Sequence, residues 1–204
     1  MERSLQSPRW HIGALVAIWC VLLGAIAFLV VDDPTPDRNH PAILLSADGA
    51  VLWWWFGAAV MLNLEPKPWF QACPRRNLLR VSWSLGFLAF LAHLFAAFHL
   101  GHHWSHADAY RQTEATSGVG EGIFVNYLFG VVWLGDALWL AVWPDRYARR
   151  SRWVGWFVHG FLAFIAFNAT VIYGSGVARW VGVAIFAILA WGLVRKASFA
   201  RLPR

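Results

Sequence analysis

The sequence predicts an all-α, polytopic integral membrane protein with six transmembrane helices, cytoplasmic N- and C-termini and a single domain over residues 1–204. Three observations carry this. Hydrophobic residues make up 59% of the 204 positions and charged ones 14%, against roughly 25% charged in a soluble domain. The apolar residues fall into six runs, each close to the ~20 residues an α-helix needs to cross the hydrocarbon layer. The basic residues between the runs are one-sided.

The runs cover approximately 10–31, 42–64, 79–101, 122–143, 153–173 and 177–194. Helices are required, because an isolated strand would leave its backbone groups unpaired in lipid. The alternation of barrel strands is also absent. The first run is read as a retained helix rather than a signal peptide, since the acidic "VVDDPTPD" follows it in place of a small-x-small cleavage site.

Orientation follows from the cations. One side holds Arg3, Arg9, Lys67, Arg75, Arg76, Arg80, Arg146, Arg149, Arg150, Arg152, Arg195, Lys196, Arg201 and Arg204; the other holds only Arg38, Arg111 and Arg179. The positive-inside rule puts the larger set in the cytoplasm. The cations form short clusters between apolar runs, not the long basic face of a nucleic-acid binder. Lipid is therefore the expected partner, together with other membrane subunits. Arg far outnumbers Lys, the usage of a GC-rich bacterial genome, so the expected location is the bacterial cytoplasmic (inner) membrane.

Cys20 lies in the first run and Cys73 in a loop, so no disulfide is expected, and no CxxC occurs. Trp10, Trp69, Trp143, Trp153 and Trp180 fall at expected interfaces, where amphipathic rings sit. Trp53, Trp54 and Trp55 fall near mid-membrane and are read as lipid-facing or packing bulk, with cofactor contact as the lesser reading. No P-loop, dinucleotide fingerprint or nucleophile elbow is present.

The chemistry concentrates in "FHLGHHWSHADAY". Nothing local stops a helix after Gly101, because "HHWSHADAYRQTEA" lacks Pro and Gly. The third helix is therefore expected to run from about 79 to 114, past the membrane. His99, His102, His103 and His106 would then share an arc of about 100° on one face. Imidazoles four apart on a helix can hold one ion, and such ligands suit Zn, Cu or Fe. One face rarely surrounds an ion alone, so Asp48, Asn126 and Tyr110 are the expected completing groups, with Asp108, Glu114, Glu121 and His40 nearby in the loops. The bland alternative is a set of solvated, pH-sensitive imidazoles. Haem ranks behind a transition metal, because His93 and His159 sit about 20 Å and about 10 Å from the inner boundary by helical rise.

"HLGHH" also has the HxxHH form of one histidine box of membrane desaturases and hydroxylases. Those enzymes use three cytoplasmic boxes, and the remaining histidines here do not form two more.

Asp136 lies about 12 Å from the inner boundary, near the depth of His159. A carboxylate in lipid needs a partner, so this intramembrane pair is expected to meet, as a proton-relay element or as a packing hydrogen bond. The leading functional expectation is a histidine-rich metal site at the outer face, serving a redox or hydrolytic reaction on a lipid-soluble or periplasmic substrate. The alternative is a non-catalytic accessory subunit of a larger membrane complex, contacting partners, pigment or haem. A metal or proton transporter is third, for want of paired broken segments.

Overall fold

A computed structural model describes residues 9–63 and 73–199. Arg3, Lys67, Arg201, Arg204 and Trp69 lie outside them, as do the side chains of Arg9 and Trp10. Among the described residues the chain is all-helical and has no strand. Its elements are α1 (Arg9–Asp32), α2 (Pro41–Leu62), α3 (Pro74–Ala96) with a π-helical end (Ala97–Gly101), α4 (His106–Ser117), α5 (Gly122–Val142), the short α6 (Pro144–Ala148), α7 (Arg152–Phe167) with a π-helical end (Asn168–Ile172), and α8 (Gly176–Phe199). Six of these, α1, α2, α3, α5, α7 and α8, are long and apolar enough to cross a membrane.

Local chemistry explains the boundaries. Pro41, Pro74 and Pro144 open α2, α3 and α6, positions where a missing N–H costs nothing and the ring pre-sets φ. His40 caps α2 by accepting from the Ala42 N–H, while its other ring nitrogen lies 2.7 Å from the Asp33 carbonyl. Gly118, in the left-handed region at φ 78°, closes α4 by donating its N–H to Glu114.

The third span corrects the expected helix to residue 114. It ends at Gly101, and the chain turns through His103 (φ 49°) and Trp104 (φ 59°). Two consecutive left-handed residues cannot continue a right-handed helix, and each costs roughly 1–2 kcal/mol. The turn is held by Trp104 N–H to the Phe98 carbonyl at 2.9 Å and Ser105 N–H to the His102 carbonyl at 2.7 Å. Ser105 then caps a new helix by accepting from the Asp108 N–H at 3.2 Å.

The most extensive pairing is α2 against α3; α5 packs on α3, α7 on α5, and α1 on both α2 and α3. The main core gathers Trp54, Leu79, Trp83, Phe87, Phe129, Trp133 and Leu162. The central tryptophans of α2 are thus packing residues in large part: Trp53 and Trp54 are buried and Trp55 is half-buried. Close approach needs Gly57, where a Cβ would stand 2.6 Å from the Trp83 ring. By contrast Trp143, Trp153 and Trp180 are exposed near helix ends, as interfacial rings are.

Candidate functional site: a cavity under the α4 cap and a buried polar cluster

The break after Gly101 decides what the four histidines do. His99 is exposed; its ring stacks on Phe95 and its Nδ1 accepts from the Trp104 indole at 3.3 Å. His102 is half-buried, with Nδ1 3.4 Å from Asp108 Oδ2. His103 occupies the left-handed turn and is exposed. His106 opens α4, its Nδ1 2.9 Å from the Tyr127 hydroxyl. The expected arc is not formed, because the turn re-aims each ring. Among the described residues no three His, Cys, Asp or Glu side chains gather closely enough to share an ion.

The expected completing groups are dispersed too. Tyr110 donates its hydroxyl to Glu121 at 2.9 Å. That hydrogen bond, followed by burial and the Glu121 and Glu114 charges, moves the phenol above its ordinary value. Asp48 lies on the exposed side of α2 with Leu44 and Leu52. Asn126 is exposed but lines a cavity with His102.

That cavity, about 280 Å³, lies between α2, α3, α5 and α7, with Thr113 of α4 on its wall. It exists because small side chains leave space: Ala47, Ala50, Ala97, Ala166 and Ala169 line it. Its polar residues are His93, His102, Thr113, Asn126 and Tyr127, and Trp54 and Trp133 also line it. Aromatic rings and a few polar atoms around a concave space are the usual make-up of a small-molecule site.

α4 is clamped over this end of the bundle. Arg38, in the loop between α1 and α2, reaches Asp108 Oδ1 at 3.0 Å and Gln112 Oε1 at 2.6 Å. Arg111 adds a contact to Asp108 at 3.3 Å. Burial pushes the Asp108 carboxyl up, but the His102 hydrogen bond, the Arg38 charge and the bonds from Arg38 and Arg111 together outweigh it and hold the group below its ordinary value.

The basic end of the bundle carries a second constellation. Asp136 and His159 are brought into one cluster, joined through Tyr147 and Arg150. The Tyr147 hydroxyl donates to Asp136 Oδ2 at 2.9 Å and lies 3.3 Å from His159 Nε2. The Trp83 indole donates to the same Oδ2 at 2.9 Å. Arg150 Nη2 donates to His159 Nε2 at 2.7 Å, and its Nη1 lies 3.9 Å from Asp136 Oδ1. The guanidinium sits 3.5 Å over the Tyr147 ring. Because arginine only donates, His159 Nε2 accepts and its ring proton belongs on Nδ1. Burial, then the Asp136 charge, pushes the Tyr147 phenol well above its ordinary value. Sequence reasoning missed Trp83, Tyr147 and Arg150. Arg150 sits in "PDRYARRSR", which reads as a solvated basic loop, yet α6 folds that loop back under the bundle. No family model, curated protein or solved structure matches the chain.

Proposed function

We propose that the chain is a multi-pass protein of the bacterial cytoplasmic membrane that binds a lipid-soluble small molecule in the cavity beneath α4. In this reading the histidine end faces outward. Arg76, Arg80, Arg146, Arg149, Arg150 and Arg152, at the opposite ends of the spans, support that orientation through the positive-inside rule. His93 and His102 act as ligand-facing polar groups in place of a shared metal site, and the Asp136 cluster fixes helix packing at the cytoplasmic end.

The observation that carries the proposal is the cavity itself. A packed membrane bundle normally closes such space with larger side chains, since voids forfeit dispersion contacts. Here a row of alanines keeps it open beside aromatic walls and isolated polar groups. The test is native mass spectrometry of protein extracted from its own membranes without detergent. The expected result is one retained small-molecule adduct per chain, lost from Ala97→Phe and Ala169→Phe variants whose helical circular dichroism is unchanged. Spectra with no adduct in the parent protein overturn the reading, as does an adduct that both filled variants retain.

A further inference from the structure

An open groove crosses α3 at the arginine-rich ends of the spans, away from the cavity beneath α4. α1 and α5 both pack on α3, and a space of about 480 Å³ remains between them. Asn77, Arg80, Ser84 and Leu85 of α3 line its floor, with Ile12 of α1 and Ala141 of α5 at its sides. The Trp19 indole donates to the Leu85 carbonyl at 3.1 Å and so holds α1 against α3 beside the groove.

The groove carries a cation and no anion. No Asp or Glu lines it. Among the described residues no carboxylate lies within ion-pairing distance of Arg80, whereas Arg38, Arg76, Arg111 and Arg150 each have one. Arg80 Nη2 donates to the Ala141 carbonyl at 2.5 Å, and Nε is enclosed. Nη1 is the end left over. It stands 3.5 Å from Oδ1 of the exposed Asn77, at the outer limit of a hydrogen bond. One turn further along the same face, the half-buried Ser84 makes no side-chain hydrogen bond among the described residues, and its hydroxyl is not enclosed. A guanidinium without a carboxylate suits a phosphate, and basic recesses between membrane helices on the cation-rich side hold anionic headgroups.

Depth adds a second match. Arg80 lies about 9 Å along α3 from Pro74, and Ser84 about 6 Å deeper. Going inward, the groove offers Asn77 and Arg80, then a hydroxyl, then the apolar Leu85. A phospholipid presents the same order: phosphate, ester carbonyl, acyl chain. We infer that the groove binds an anionic phospholipid of the adjoining leaflet. Its phosphate accepts from Arg80 Nη1 and the Asn77 amide, an ester carbonyl accepts from Ser84, and a chain runs along Leu85. A zwitterionic lipid is disfavoured, because no acid lines the groove to meet its ammonium group. The inference is independent of the cavity ligand and needs only that the chain lies in a bilayer.

The test is native mass spectrometry of the full chain in detergent, with dioleoylphosphatidylglycerol and dioleoylphosphatidylcholine at equal concentration. The parent protein should retain the glycerol lipid at least tenfold more strongly. Arg80→Gln should weaken that lipid about tenfold, the worth of a charge-assisted hydrogen bond, and leave the choline lipid nearly unchanged. Arg152→Gln removes an exposed cation outside the groove and should have no effect. Ser84→Phe fills the groove, keeps every charge and should also lose the preference; it carries the test if Arg80→Gln fails to fold. Glycerol 3-phosphate in tenfold excess should not displace the lipid. Displacement means that the groove takes a free phosphate ester and overturns the lipid assignment. Equal retention of the two lipids overturns it as well, as do equal losses from Arg80→Gln and Arg152→Gln, which would mark diffuse surface charge.

Discussion

The Tyr147 hydroxyl donates to Asp136 Oδ2 at 2.9 Å and so ties α6, outside the spans, to a carboxylate buried in α5. Trp83 donates to the same oxygen, and the Arg150 guanidinium stands 3.9 Å from the other. The arrangement answers the main energetic problem of the bundle, a carboxylate only 5% exposed among aromatic rings. Removing one partner of a buried ion pair leaves an uncompensated charge, at about 3–5 kcal/mol. Losing one of several donors costs about 1–3 kcal/mol. Arg150→Met is therefore expected to destabilise more than Tyr147→Phe, each within those ranges, in equilibrium unfolding from detergent micelles. Asp136→Asn combined with Arg150→Met should recover part of the loss, because the orphaned charge is gone. A double variant as unstable as Arg150→Met alone would show that the cluster acts through shape rather than charge.

The same phenol gives an alkaline signature. Burial and the Asp136 charge raise Tyr147 well above its ordinary value. A phenol raised in the folded state stabilises fully below the unfolded value of about 10, and that contribution is lost as pH climbs beyond it. Tyrosinate absorbance should therefore show a tyrosine that ionises only on unfolding, and the parent protein should lose stability above about pH 10. Tyr147→Phe should flatten that limb. A phenol titrating normally in the folded protein contradicts the burial described.

At the other end the sign reverses. Asp108 is held below its ordinary value by His102, Arg38 and Arg111 against the effect of burial. A depressed carboxyl stabilises above the unfolded value and loses that contribution as pH falls through its folded value. α4 should thus stay clamped at neutral pH and loosen only below about pH 4. Amide exchange over residues 106–117, corrected for intrinsic rates, would report it. Asp108→Asn should exchange quickly at neutral pH and show no further acid loosening. Unchanged exchange in that variant would remove Asp108 as the clamp.

The six long apolar helices were legible because hydrophobic run length is a property of composition, and a run of that length in lipid leaves the backbone no alternative to helix. The Asp136–His159 neighbourhood was legible in depth, since helical rise places residues along a span. Trp83 and Arg150 were not legible, because which faces meet depends on helix rotation and on α6 turning back. The histidine segment misled for a different reason. The segment holds no Pro or Gly to stop a helix, and the stop is made instead by His103 and Trp104 in left-handed conformations. One signal was available: "SHAD" has a Ser at the cap and an acid three residues on, the pattern that opens a new helix, and Ser105 does cap α4. The cavity has no local signal, because its alanines come from three helices.

His103 supplies a test of that break whose sign, not size, decides. In a helix continuing past Gly101, glycine at position 103 would sit in a helix interior and cost about 0.5–1 kcal/mol relative to alanine. In the turn described, His103 holds φ 49°, a conformation that costs a side-chain-bearing residue roughly 1–2 kcal/mol and glycine almost nothing. The exposed imidazole has little packing to lose. His103→Gly is therefore expected to be neutral or stabilising by up to about 1 kcal/mol after the added unfolded-state entropy of glycine. His103→Ala should be close to the parent, and His103→Val worse than either, because β-branched residues tolerate positive φ poorly. Thermal unfolding of the three variants under one detergent condition gives the order. The ranking Gly above Ala above Val supports the turn. Ala above Gly means the helix runs on, which would restore the single histidine face and, with it, the case for a shared metal ion at this end.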